Sequence, residues 1–191
     1  MKSDCRTQIP TMETLILISG AVILSGAVAA STAGSPGGIA HRTSKPLTTL
    51  LILLLAILSE TDRSGYRIAI SAGLLVSIVG DMFLTARDRY FIAGLVSFLL
   101  AHLCYIYGFS ARILLPLDIW VAAPFVIFGI LIYRVLSPGL SRMKLPVTFY
   151  ILVILAMGWL AAEWAATHWK PDAVFALTGA ILFIVSDSML A

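Results

Sequence analysis

Residues 67–112 read RIAISAGLLVSIVGDMFLTARDRYFIAGLVSFLLAHLCYIYGFSAR, two apolar runs of membrane-crossing length separated by the tight polar turn Arg87-Asp88-Arg89. At 1.5 Å rise per residue, about 20 apolar residues cross a hydrocarbon core roughly 30 Å thick, so this stretch predicts a helical hairpin with spans at 67–85 and 91–112. Working outward, further apolar segments fall at 14–31, 46–59, 114–136, 146–167 and 171–191. The expected fold is an all-α transmembrane bundle of seven spans in a single domain, residues 1–191. No fixed-period repeat or low-complexity tract interrupts it.

Composition agrees. Of 191 residues 60% are hydrophobic and 12% charged, against roughly 25% charged in soluble domains, and no globule of this size hides so much apolar surface. Disordered and collagenous chains are excluded as well. Thirteen Lys and Arg against ten Asp and Glu give a net charge of +3. The cations are scattered among loops as membrane flanks, with no basic stripe for nucleic acid. Cys5 and Cys104 form neither a CxxC pair nor a disulfide framework.

Several segments carry local signals. Leu15–Ala30 follows Lys2 and Arg6 and ends in small residues, a pattern shared with signal peptides. A retained helix is preferred, because everything after it is also apolar. Residues 31–43 are rich in Gly, Ser and Pro and read as a loop, with Pro46 in the first turn of the following span and Lys45 able to snorkel to headgroups. The Lys/Arg balance between the two faces is close to a tie, and a cytoplasmic face holding Lys45, Arg87 and Arg142 is the orientation preferred. The last apolar segment runs to Ala191 with no polar tail, so C-terminal truncation is expected.

Ionisable groups inside spans are expensive, about 2.5–3.5 kcal/mol for Asp at a helix centre on insertion scales, and they commonly mark reaction or ion pathways. Asp81, His102 and Asp187 are the three deep ones. Asp118 and Glu163 fall near span ends, where headgroup contact is expected. Asp81 lies fourteen residues past Arg67 and Asp187 sixteen past Pro171, hence about 21 and 24 Å along helices that run in the same direction. The two carboxylates are therefore expected at nearly the same level, able to pair. His102 lies about 18 Å beyond Tyr90, with Tyr105 on its stripe. Gly73, Ser77, Gly80 and Asp81 share one helical face, and Gly179, Ala180 and Phe183 precede Asp187. Small residues of this kind allow close helix approach. With one His inside a span, a zinc site is disfavoured, and no GxSxG elbow accompanies Ser186. The residues themselves leave three readings open: a hydrolase with paired carboxylates, a proton-coupled transporter or channel using the same Asp and His residues, and a non-catalytic scaffold.

Four stretches resemble the YhhN-like membrane proteins, which include the lysoplasmalogenases: Lys45-Pro46-Leu47-Thr48; Gly80-Asp81; Gly94-Leu95 through Phe98-Leu99-Leu100-Ala101-His102-Leu103-Cys104-Tyr105; and Gly179 through Phe183-Ile184-Val185-Ser186-Asp187-Ser188. Pro146-Val147, Tyr150 and Met157 look like the family's sixth span. The resemblance implies eight helices in the intact fold, one more than this chain provides. It implies hydrolysis of the vinyl-ether bond of lysoplasmalogens, lysophospholipids held within the bilayer; no cofactor is expected. Asp81 and Asp187 would then be the catalytic pair, one protonated and one ionised. Lys45, His102, Tyr105 and Ser186 would bind or orient the substrate.

Overall fold

In the computed structural model, residues 39–58, 65–86, 88–113, 116–140 and 143–188 are described. They form six α-helices: α1 (Ile39–Leu58), α2 (Gly65–Ala86), α3 (Phe91–Ser110), α4 (Ile119–Leu136), α5 (Lys144–Thr167) and α6 (Pro171–Ser188). There is no strand among the described residues. Five of the helices, α2 to α6, are long and apolar enough to cross a membrane, and the apolar part of α1, Lys45–Leu58, is shorter. The expected span at 14–31 lies outside the described residues, as do Arg87, Arg142 and Ala191, so seven spans are not established.

Three boundaries differ from expectation for local reasons. Helix α1 begins at Ile39, so part of the expected loop is helical and Pro46 sits inside the helix rather than in its first turn. A proline there forgoes one backbone hydrogen bond, to Arg42, but leaves the carbonyls that follow it usable. The carbonyl of Lys45, the residue before the proline, accepts from Thr49 Oγ1 at 3.2 Å. Helix α3 ends at Ser110, two residues early, in a turn where the Arg112 N–H donates to Phe109 O at 2.9 Å. Helix α4 starts only at Ile119, because Asp118 caps it: its carboxylate accepts from the Trp120 N–H at 2.9 Å.

The chain divides into two compact units, Met1–Ser97 and Phe98–Ala191. In the first, α1 packs on α2, and a 3-10 turn, Asp88–Tyr90, leads back into the start of α3. This is the predicted hairpin turn. Tyr90 packs against Phe83 at 5.9 Å between ring centroids, and the start of α3 comes so near α2 that a Cβ on Gly94 would lie 2.9 Å from the Leu84 side chain.

In the second unit α5 is central, packing on both α4 and α6. Lipid tails are as apolar as leucine, so close packing of small residues rather than expulsion of apolar surface from water holds such helices together. On α5, Gly158, Ala161 and Ala165 are buried at helical spacing, and α6 presents Ala173, Ala180 and Ile184. A Cβ on Gly158 would lie 2.7 Å from both Ile184 Cδ1 and Phe125 Cε1. Gly158→Ala is therefore expected to lower stability by about 1–3 kcal/mol through overpacking. Gly94→Ala meets one leucine side chain, with the Gly80 carbonyl oxygen at an ordinary 3.5 Å, where Gly158→Ala meets two side chains, and it should cost less. Thermal unfolding of both variants in one detergent checks the order.

The outward surface is apolar. On α4, Val126, Ile127, Ile130 and Leu131 are each more than half exposed. An amphipathic soluble helix would place polar residues there.

Candidate functional site

In each unit some of the polar groups inside the helices come together, around Asp81 in the first and Asp187 in the second. In the first unit Lys45, Thr49 and Leu53 recur every four residues along one stripe of α1. The facing stripe of α2 carries Gly73, Ser77, Gly80 and Asp81, all buried, as the shared face predicted. Thr49 Oγ1 donates to Asp81 Oδ2 at 2.7 Å. One turn before Thr49, the Lys45 ammonium is near enough to act electrostatically on the Asp81 carboxylate. A carboxylate only 7% exposed thus has a hydroxyl donor and a cation close by.

In the second unit Tyr150 Oη donates to Asp187 Oδ2. The pairing follows from the α5–α6 hairpin: Asp187 extends the Ala173, Ala180, Ile184 stripe, and Tyr150 extends the Gly158, Ala161, Ala165 stripe that it faces. His102 is fully buried beside them. Its ring meets those of Phe183 at 5.0 Å, Tyr150 at 5.4 Å and Tyr105 at 6.3 Å, each near edge-on. This is the favourable arrangement of aromatic rings. Both imidazole nitrogens are buried without a hydrogen-bond partner among the described residues.

Of the residues singled out from sequence, Lys45 and Asp81 come together in the first unit, and His102, Tyr105 and Asp187 in the second. Ser186 is exposed, on a different face of α6 from Asp187. Gly179 is exposed too, with nothing within 4 Å of an added Cβ, so Ala180 and Phe183 make the packing expected of that stretch. Glu163 corrects the expectation of headgroup contact: it is 2% exposed, and its Oε1 accepts from the Asp118 N–H at 2.9 Å. The end of α5 is packed beneath the chain entering α4, which removes Glu163 from solvent.

Thr49 and Tyr150 were missed as carboxylate partners. A signal for Tyr150 was present, since it lies seventeen residues before Thr167 and Asp187 sixteen after Pro171, which puts both at one level of a tight hairpin. No comparable signal existed for Thr49, because the stagger of α1 against α2 is not carried by the periodicity of either helix.

Apolar helices with polar side chains buried among them define an integral, multi-pass membrane protein. The YhhN family model matches residues 40–191, and the chain belongs to that family. It is 35% identical over 136 residues to the lysoplasmalogenase TMEM86A of Bos taurus, covering 69% of this chain and 55% of the relative. To the lysoplasmalogenase TMEM86B of Sus scrofa it is 32% identical over 151 residues, 76% of this chain and 58% of the relative. An uncharacterized membrane protein YhhN of Escherichia coli O157:H7 is 33% identical over 144 residues, 75% of this chain and 68% of the relative. The chain spans about half the length of the lysoplasmalogenases it matches. No solved structure matches it.

Proposed function

We propose that the protein is an integral-membrane hydrolase that cleaves the vinyl-ether bond of lysoplasmalogens, releasing a fatty aldehyde and glycerophosphocholine or glycerophosphoethanolamine. The observation that carries this reading is the Tyr150 hydroxyl bonded to the Asp187 carboxylate beside the buried ring of His102. The names of the TMEM86A and TMEM86B relatives support the choice of substrate class.

The chemistry suits two carboxyl groups with different protonation. Transfer of a proton to the β-carbon of the vinyl ether makes the α-carbon an oxocarbenium centre. Water adds there and loses a proton to the ionised carboxylate, and the hemiacetal then collapses to the aldehyde and the free glycerol hydroxyl. One proton is given and one recovered, as in other hydrolases built on two carboxyl groups. Asp81 and Asp187 are assigned these two roles without order between them. Thr49 and Tyr150 orient one carboxylate each. His102, with both ring nitrogens uncommitted, is assigned to the water or the polar end of the substrate, with Tyr105 packing its ring. Lys45 is assigned to the substrate phosphate, and Ser186 to the headgroup side.

The deciding experiment is aldehyde release from purified protein supplied with lysolipids matched in headgroup and chain length. Aldehyde from the vinyl-ether lipid, with no fatty acid from the acyl ester, is the expected result. Fatty acid release, or no product from either lipid, would overturn the assignment.

A further inference from the structure

A groove of about 500 Å³ runs along the outer side of α4 and α5, within the range of about 300–1,000 Å³ usual for small-ligand sites. It lies on the face of α5 that carries Thr148, Leu152, Leu155 and Trp159, away from the Tyr150 and Gly158 stripe that meets α6. The walls are almost wholly apolar. Val126, Ile130 and Leu152 are each more than half exposed there, so the groove opens outward. At its base a Cβ on Gly129 would run into the Leu155 side chain, which marks the close approach of the two helices.

One end of the groove is different. Arg134, in the last turn of α4, lines it with Tyr133 and Thr148, and the exposed Lys144 is one turn before Thr148. The Arg134 guanidinium has no hydrogen-bond or ion-pair partner among the described residues, while its backbone carbonyl accepts from Ser137 Oγ at 3.5 Å. Of the acids in the unit's helices and caps, Asp118, Glu163 and Asp172 belong to the opposite ends of their helices, and Asp187 is engaged by Tyr150. An uncompensated cation at the terminus of a spanning helix lies at headgroup depth, where guanidinium pairs well with phosphate.

We propose that this groove is a binding site for an anionic membrane phospholipid, with one acyl chain between α4 and α5 and the phosphate on Arg134. The site is separate from the Asp187 cluster and does not depend on the reaction proposed above. Charge complementarity selects the occupant: a second apolar helix would fill the groove but leave the guanidinium unmatched, whereas an anionic lipid satisfies both features.

Trp159 lines the groove and reports on it. The purified 191-residue chain in detergent would be titrated with phosphatidylglycerol or phosphatidylcholine brominated on identical acyl chains. The Trp159 contribution to fluorescence quenching is isolated by difference from Trp159→Phe. Phosphatidylglycerol is expected to quench Trp159 with an apparent constant about fivefold tighter than phosphatidylcholine, the usual effect of one basic side chain near anionic headgroups. Arg134→Gln should bring the ratio to about one, and Arg134→Lys should keep most of the preference. Ala156→Leu, which fills the groove, should weaken Trp159 quenching by both lipids. Equal quenching by the two lipids in the parent chain, or a preference that survives Arg134→Gln, would overturn the proposal and leave the groove to another helix of this chain or to a second copy.

Discussion

Asp187→Asn is expected to lower the turnover of vinyl-ether lysolipid by about 10²–10⁴-fold, the usual contribution of a general acid or base, while the protein stays folded. The substitution is chosen for what it keeps. Asn has the shape of Asp, and its carbonyl oxygen can still accept from the Tyr150 hydroxyl. The Ala173, Ala180 and Ile184 stripe packed on α5 is untouched. What is lost is the capacity to hold or surrender a proton. The same argument applies to Asp81→Asn, in which the Thr49 hydroxyl still finds a carbonyl acceptor at the place of Oδ2. Both variants should therefore unfold within a few degrees of the parent in the same detergent. Full aldehyde release from either variant would sink the assignment of both carboxylates, since a reaction that gives one proton and recovers one needs each of them.

Tyr150→Phe is the second large effect expected. It removes one oxygen atom and leaves the ring that meets His102 edge-on at 5.4 Å. A hydrogen bond to a charged group contributes about 1.5–3 kcal/mol, so if Asp187 works as the ionised partner its loss converts to about 10–150-fold. The loss should fall on kcat with KM little changed, because Tyr150 holds the carboxylate rather than the lipid. A KM effect with kcat intact would move Tyr150 to substrate binding, and unchanged kinetics would remove it from the site. Stability should fall by no more than the bond itself, since Gly158, Ala161 and Ala165 carry the α5–α6 contact.

These expectations rest on features of differing legibility in the sequence. Five of the spans were readable because bilayer thickness imposes a length on every crossing helix, and the polar turn at Arg87-Asp88-Arg89 punctuated the longest stretch. The buried face of α2 was readable from periodicity, since Gly73, Ser77, Gly80 and Asp81 repeat at helical spacing. The start of α1 was not, because a Gly, Ser and Pro-rich entry looks like a loop until its backbone is seen to continue through Pro46. Glu163 was misread for a similar reason. Distance from a helix end measures depth along the axis, and it says nothing about whether a neighbouring segment such as that at Asp118 covers the side chain.

From the sequence alone came the class of molecule, the inventory of costly intramembrane groups and the family resemblance, because each depends on composition, spacing or short motifs. Only the tertiary structure decided which hydroxyl serves which carboxylate. Thr49 on Asp81 and Tyr150 on Asp187 are contacts between helices, set by stagger and by rotation about the helix axes. Periodicity along one helix carries neither quantity, and the small-residue packing between neighbours sets both.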